Sequence, residues 1–182
     1  MKIAVIPDTQ VKEDVPLEHL LYAGKYIAEK KPDYIVHIGD HWDMPSLSSY
    51  DVGKKSFEGR RYHKDVEAGN MAMDLFLQPI KAELAKNARK KRNKKKTWNP
   101  ELHFTLGNHE QRIMRAVEKD AILEDTIGYD DLNLEDWIVH DFLEPVNIEG
   151  VMFSHYFTSG VMGRPVSSAK ALLAKKHMSC IM

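Results

Sequence analysis

Apolar residues fall along this chain in short blocks that alternate between two periods. Lys2 to Ile6 is an almost unbroken apolar run closed by Pro7 and Asp8, which predicts a buried strand with a carboxylate at its C-terminal tip. Leu17, Leu20, Leu21, Gly24, Ile27 and Ala28 then recur at helical spacing, and Lys30-Lys31-Pro32 supplies a cationic last turn and a breaker. Tyr34 to Ile38 reads as a second buried strand, broken by Gly39 and followed at once by Asp40. A β-α-β order predicts a parallel pair with both strand ends at one sheet edge, so Asp8 and Asp40 should meet in space.

His41 to Arg61 is polar and Ser/Gly-rich and reads as a long loop at that edge, where open α/β sheets bind ligands. Val66, Met73, Leu77, Ile80 and Leu84 mark one face of a long helix over Tyr62 to about Ala88, with Pro79 expected to kink it. Leu102 to Leu106 is a third strand, ended by Gly107-Asn108, and Arg112 to Lys119 resumes a helical pattern. Residues 120 to 136 are acidic and give no clear period. Trp137 to His140 and Val151 to Ser154 read as strands flanking a turn at Glu149-Gly150, with His155 directly after the second. Val166 to Lys176 reads as a helix, and Met178 to Met182 as the start of another apolar strand.

Composition narrows the class. With 182 residues the chain is expected to be one domain, 1–182. Its 43% hydrophobic and 29% charged content suits a globular chain and argues against disorder. The single Cys180 forbids an intrachain disulfide, and no stretch has the length of a membrane span, so no membrane partner and a cytoplasmic location are expected. The net charge of -1 conceals an asymmetry: Lys86 to Lys96 holds eight of the 26 basic residues and no acid. A solvated charge run at a helix C-terminus needs no partner; the functional reading is contact with a nucleic-acid backbone, with Trp98 nearby as a stacking platform.

Four successive strand ends thus present Asp8 with Gln10, Asp40 with Asp43, Asn108 with His109, and His155. Taken singly, Asp and Asn are ordinary turn and cap residues. Taken together at one sheet edge, carboxylates, an amide oxygen and imidazoles form a mixed oxygen and nitrogen set suited to Mn, Fe or Zn. The motifs of nucleotide-binding loops, nucleophile-elbow hydrolases and paired-cysteine sites are absent.

In this order the residues resemble the calcineurin-like metallophosphoesterases, whose blocks read D-x-H, GD-x-x-D, GNH-D/E, a lone H and GH-x-H. The chain offers Asp8-Thr9-Gln10, Gly39-Asp40-His41-Trp42-Asp43, Gly107-Asn108-His109-Glu110 and His155. The resemblance implies an α/β fold, the four-layer αββα sandwich of two mixed sheets, and phosphoester hydrolysis at a dinuclear centre by a bridging hydroxide. It implies two divalent ions, Mn foremost, with Fe, Zn, Mg and Ni as further candidates. Asp8 and Asp40 would hold one, and Asp40, Asn108 and His155 the other. It also implies that His109 faces the substrate phosphate as general acid or charge stabiliser, with Asp43 orienting it. Arg112, one turn into the following helix, is a candidate for contact with the substrate phosphate. His41, within the second block, is a candidate for lining the pocket, as is Trp42.

The sequence departs from the family pattern in two places. Gln10 stands where the family has His, which weakens the first metal site or favours harder ions such as Mn or Mg. The GH-x-H block has no counterpart, and the second sheet is expected to lack its C-terminal part, leaving an edge open to self-association. The substrate class stays open between phosphodiesters, nucleic acid included, and phosphomonoesters. The rival reading is a non-catalytic binding or scaffold module with a degenerate metal site.

Overall fold

The computed structural model describes the backbone of residues 1–90 and 97–182 and the side chains of 1–86 and 97–182. Most of the basic run from Lys86 to Lys96 therefore lies outside the described residues; Lys86 itself pairs with Glu83 at 3.5 Å.

Four strands form a first sheet in the order β1 (Ile3–Ile6), β2 (Tyr34–His37), β3 (Glu101–Thr105) and β4 (Ile138–His140), and every neighbouring pair is parallel. Because the strands run the same way, the chain leaves β1, β2 and β3 at one edge, towards Asp8, Asp40 and Asn108. Successive residues of β2 point to opposite faces, and the two faces bury against different layers. Ile35, with Phe104 and Leu106, packs under α1 (Glu18–Lys30) and α2 (Tyr62–Lys90), against Leu20, Ile27, Phe76, Leu77 and Ile80. Val36 and Ile38 face Ile148 and Phe153 of a second sheet. Each such fully buried side chain contributes about 1.5–3 kcal/mol relative to exposure.

The helices are placed by simple means. Lys31, at φ 50°, closes α1 by donating its N–H to Ile27 O at 2.9 Å, and Pro32 prevents continuation. Gly24 lies so close to the Phe76 carbonyl and Pro79 ring of α2 that no Cβ fits, which brings the two helices together. α2 runs through Pro79 as one helix. α3 (Gln111–Lys119) follows β3 and buries Ile113 and Val117.

The second sheet holds β5 (Val146–Ile148) antiparallel to β6 (Val151–Phe153), and β9 (Ser179–Ile181) parallel to β6. Beyond it, the hairpin β7 (Thr158–Ser159) and β8 (Arg164–Pro165) and the helix α4 (Ala169–Lys176) complete a small core of Phe157, Val166 and Leu172. Helices, parallel sheet, mixed sheet and an outer helix follow one another, the α/β sandwich that the resemblance implies, except that among the described residues the first sheet is wholly parallel and only the second is mixed. Among the described residues no helix is long and apolar enough to cross a membrane.

One pairing differs from expectation. The turn at Glu149-Gly150 exists, with both residues at positive φ, 53° and 84°. It joins β5 to β6, however, and β4 belongs to the other sheet. β5 is three residues directly after Pro145, too short to show a period, so the sequence reading joined Val151–Ser154 to the nearest longer apolar run.

Candidate metal centre

The loops leaving β1 and β2 stay paired beyond the strands: Gln10 N–H donates to Asp40 O at 2.9 Å, Val11 N–H to His41 O at 2.7 Å, and Asp43 N–H to Val11 O at 2.8 Å. Gln10 and Asp40 both adopt left-handed backbone, φ 44° and 51°, a conformation that costs free energy outside glycine. The turn after β2 presses on the turn after β3. A Cβ on Gly39, itself at φ 93°, would lie 2.6 Å from Gly107 N, and one on Gly107 would overlap the Asp40 carboxylate. Glycine in both motifs is thus demanded by the contact between them.

Glu110 ties the two turns. Its buried carboxylate accepts Asp40 N–H at 2.9 Å and Gly107 N–H at 2.8 Å on Oε2, and His41 N–H at 2.7 Å and Trp42 N–H at 3.1 Å on Oε1. Burial raises its pKa, helped by the nearby Asp40 charge and opposed by these N–H groups. In the sequence Glu110 stands only as the last letter of its block, with no task attached. The signal was present, since an acid three residues after a strand-ending glycine can reach back to orphan N–H groups at a helix start.

Asp40 is buried at the centre. Its Oδ1 accepts His109 N–H at 2.9 Å, while Oδ2 stands 3.4 Å from His155 Nε2 and 3.6 Å from His109 Nε2. His155 Nδ1 lies 2.8 Å from Ile38 O, so it must carry the proton, which leaves Nε2 as a lone-pair acceptor. That lone pair points at Asn108 Oδ1, 2.9 Å away, as well as at Asp40 Oδ2. Three acceptors converge without a hydrogen between them. A cation satisfies such an arrangement; without one a hydrogen must be supplied, by a second proton on His155 or by the Asn108 amide turned to present its NH₂ group.

On this observation Asp40, Asn108 and His155 fit one divalent ion. The second set is more open: Asp8 is 43% exposed on its side chain and lies 3.9 Å from His155 Nδ1, and Gln10 is exposed. Burial also raises the Asp8 pKa, a penalty that His155 offsets and Asp40 adds to. Among the described residues no group of three or more His, Cys, Asp or Glu side chains is placed to hold a metal ion by itself.

His109 stands beside this cluster. Its Nδ1 donates to Asp43, 2.8 Å from the backbone O and 2.9 Å from Oδ1, and its Nε2 faces the Arg112 guanidinium at 3.1 Å. Burial disfavours the charged imidazole, but the Asp43 hydrogen bond and the Asp40 charge outweigh it, and the net pKa is raised. The same hydrogen bond to His109, with Lys12 at 3.2 Å, holds the Asp43 carboxyl low against its own desolvation. Arg112 is fixed by donating to Asp43 O at 2.7 Å and Met44 O at 3.2 Å.

His41 and Trp42 depart from expectation. Both are buried beneath the site rather than lining a pocket. His41 meets Thr9 Oγ1 at 2.7 Å through Nδ1 and Gly69 O at 3.0 Å through Nε2, and Trp42 donates to Asn70 Oδ1 at 3.2 Å. The bridge between Val11 and Trp42 extends the pairing past β2, the two rings lie edge to face at 4.6 Å, and Gly69 leaves room for the indole. His37 is also core, stacked on Phe104 at 4.8 Å.

Comparison with known proteins agrees with this geometry. The family model for calcineurin-like phosphoesterases matches residues 1–163. The chain is similar to the Gene 54 protein of Mycobacterium phage D29, 36% identical over 120 residues that cover 66% of this chain and 40% of that protein. It is also similar to the Gene 54 protein of Mycobacterium phage L5, 36% identical over 80 residues, 44% of this chain and 30% of the relative. The chain thus matches less than half the length of these curated relatives. No solved structure matches it. With three of its blocks at one edge of the first sheet, His155 meeting them from the end of β6 in the second, and the family model covering most of its length, the chain belongs to the calcineurin-like phosphoesterase family.

Proposed function

We propose that this chain is a metal-dependent phosphoester hydrolase working at a centre of two divalent ions, Mn foremost. The observation that carries the reading is the convergence of Asp40 Oδ2, Asn108 Oδ1 and the His155 Nε2 lone pair beside an Asp43-bound His109. Asp40, Asn108 and His155 would hold one ion, and Asp8, Gln10 and Asp40 the other. When bound, such ions lower the pKa of water to supply a nucleophile near neutral pH and offset phosphate charge. His109, its ring oriented by Asp43, would donate a proton or a hydrogen bond to the departing ester oxygen through Nε2 once that nitrogen is protonated and the Arg112 guanidinium, which donates to it in this structure, has turned to the phosphate. Arg112 lies within reach of the same Nε2 and offers its guanidinium to a phosphate oxygen.

The exposed Gln10 and half-exposed Asp8 favour the second reading, a binding module that keeps the fold and holds metal weakly or not at all. One experiment separates them. Purified protein is assayed for metal content and for hydrolysis of bis(4-nitrophenyl) phosphate and 4-nitrophenyl phosphate with added Mn. Bound metal with turnover is the expected result; neither ester hydrolysed under any divalent ion would leave the binding module.

A further inference from the structure

Arg112 separates two cavities of opposite electrostatic character. One, of 610 Å³, lies on the Asp43 side and is lined by the carboxylates Glu13, Asp14, Asp43, Asp51, Glu58 and Asp65. Its other cations are already engaged: Lys12 with Asp43 at 3.2 Å, Arg60 with Asp51 at 2.8 Å and Lys64 with Glu13 at 2.7 Å. The other, of 580 Å³, opens on the Asn108 side, and no carboxylate lines it. Arg112, Arg115 and Lys119 lie along it at i, i+3 and i+7 of α3, a single stripe of the helix. The Arg115 guanidinium meets only backbone carbonyls, at Asn108 and Gln111, and Lys119 makes no ion pair among the described residues. Tyr50, 82% exposed, and Tyr156, whose ring lies 5.5 Å from that of His155, stand along the same groove.

An aqueous groove with no acid in its lining and two cations, Arg115 and Lys119, that meet no carboxylate among the described residues, beside an Arg112 whose charge is shared with Asp43 and Asp40, attracts an extended polyanion, and the acid-lined cavity across Arg112 repels one. The exposed ring of Tyr50 selects among polyanions, because unpaired bases stack on exposed aromatic faces while a duplex hides its base faces; Tyr156, half-buried and packed against Phe142 and His155, only flanks the groove. We infer that the groove along α3 binds single-stranded nucleic acid, with Arg112, Arg115 and Lys119 facing successive phosphates and Tyr50 receiving a base. This assignment rests on the proposed hydrolase reading only in directing one phosphodiester of the strand towards Asn108 and Arg112. It names the substrate class of that site as single-stranded polynucleotide.

The test measures binding without turnover. Fluorescein-labelled oligothymidylate is titrated with the metal-free 182-residue protein in chelator, across a range of salt, by fluorescence anisotropy. Affinity should fall linearly in the logarithm of salt. Replacing Arg115→Glu and Lys119→Glu together should weaken binding by at least about tenfold and flatten the slope by about 1.4, two phosphates at roughly 0.7 each for a single strand. Tyr50→Ala, a change at an exposed ring, should weaken it roughly five- to a hundredfold. Lys64→Glu in the acid-lined cavity should have no such effect.

The assignment is overturned if oligothymidylate does not bind at low salt, or if the α3 and Tyr50 variants bind as well as the parent. It is equally overturned if replacing Lys94, Lys95 and Lys96 by Gln alone removes all binding, or if a duplex or inorganic polyphosphate binds more tightly, with no dependence on Tyr50. A protein that binds oligothymidylate through these residues yet hydrolyses no ester keeps the groove and loses the hydrolase reading. One that hydrolyses small esters but does not bind loses the groove alone.

Discussion

The Glu110 carboxylate takes the N–H of Asp40, 2.9 Å away, and of the two residues after it, while its own chain segment supplies Asn108 and His109. A side chain with no expected contact with substrate or metal thereby sets the distance between two blocks of the site. Glu110→Gln places an NH₂ group where one oxygen accepts two N–H donors, leaving both without a partner. At about 1–3 kcal/mol for each buried unsatisfied group, stability should fall by roughly 2–6 kcal/mol. Urea unfolding of parent and variant checks this, and an unchanged midpoint would mean that the turns are held by the strands alone.

Metal and chemistry should separate by residue. Adding Mn should raise the melting temperature of the parent, since an ion held only by the folded state at a hundred times its Kd contributes about 2.7 kcal/mol. Asp40→Asn and His155→Ala should abolish that rise. His109→Ala should keep it while lowering kcat on the order of 10²- to 10⁴-fold. If His109→Ala lost the Mn-dependent rise, the imidazole would be a ligand and its proposed role would fail.

Asp43 should show itself in the pH profile. His109 keeps its proton to a higher pH than an isolated imidazole because, against its burial, Asp43 accepts from it and Asp40 lies near. A general acid works while protonated, so activity falls as pH rises through the folded pKa. Asp43→Asn removes part of the support and should move that descending limb to lower pH. A limb that stays in place would separate His109 from the titration.

Acid should loosen the fold before it protonates most carboxylates. Burial lowers the His41 pKa to about 4 and pushes His37 well below its usual value. Both histidines gain a proton near pH 6.5 once unfolded and resist it when folded, so the unfolded state binds more protons below that value. Stability is fully present above about pH 6.5 and should fall below it by up to about 1.4 kcal/mol per pH unit for each histidine. Denaturant midpoints measured from pH 7.5 to 5 test this; a flat profile would mean that water reaches both rings.

The strand tips were legible because β1, β2 and β3 are apolar runs stopped by Pro7, Gly39 and Gly107, and parallel pairing sends such ends to one edge. Asp8, Asp40 and Asn108 followed from that alone, whereas His155 leaves β6 of the second sheet and reaches them only through the packing of the two sheets. The buried position of His41 was not legible, since the bridge between Val11 and Trp42 and the space above Gly69 that accompany it are both tertiary facts. Glu110 was visible as a letter but not as a role, because its four donors come from backbone groups that have no sequence identity. β5 escaped because three residues cannot display a period.

The parallel order of the first sheet also bears on how the site comes into being. Its contacts join residues far apart in the chain: His109 to Asp40 across 69 positions, His155 to Asn108 across 47 and to Ile38 across 117. Such long loops close slowly, and none of these contacts can be made by a local hairpin or helix during early collapse. The proposed ligand cluster is therefore an end product of folding, absent until strands from both halves of the chain have found register. Divalent-ion capture during refolding should lag the recovery of helical signal, so that the metal arrives as a witness to the finished sheet rather than as its template.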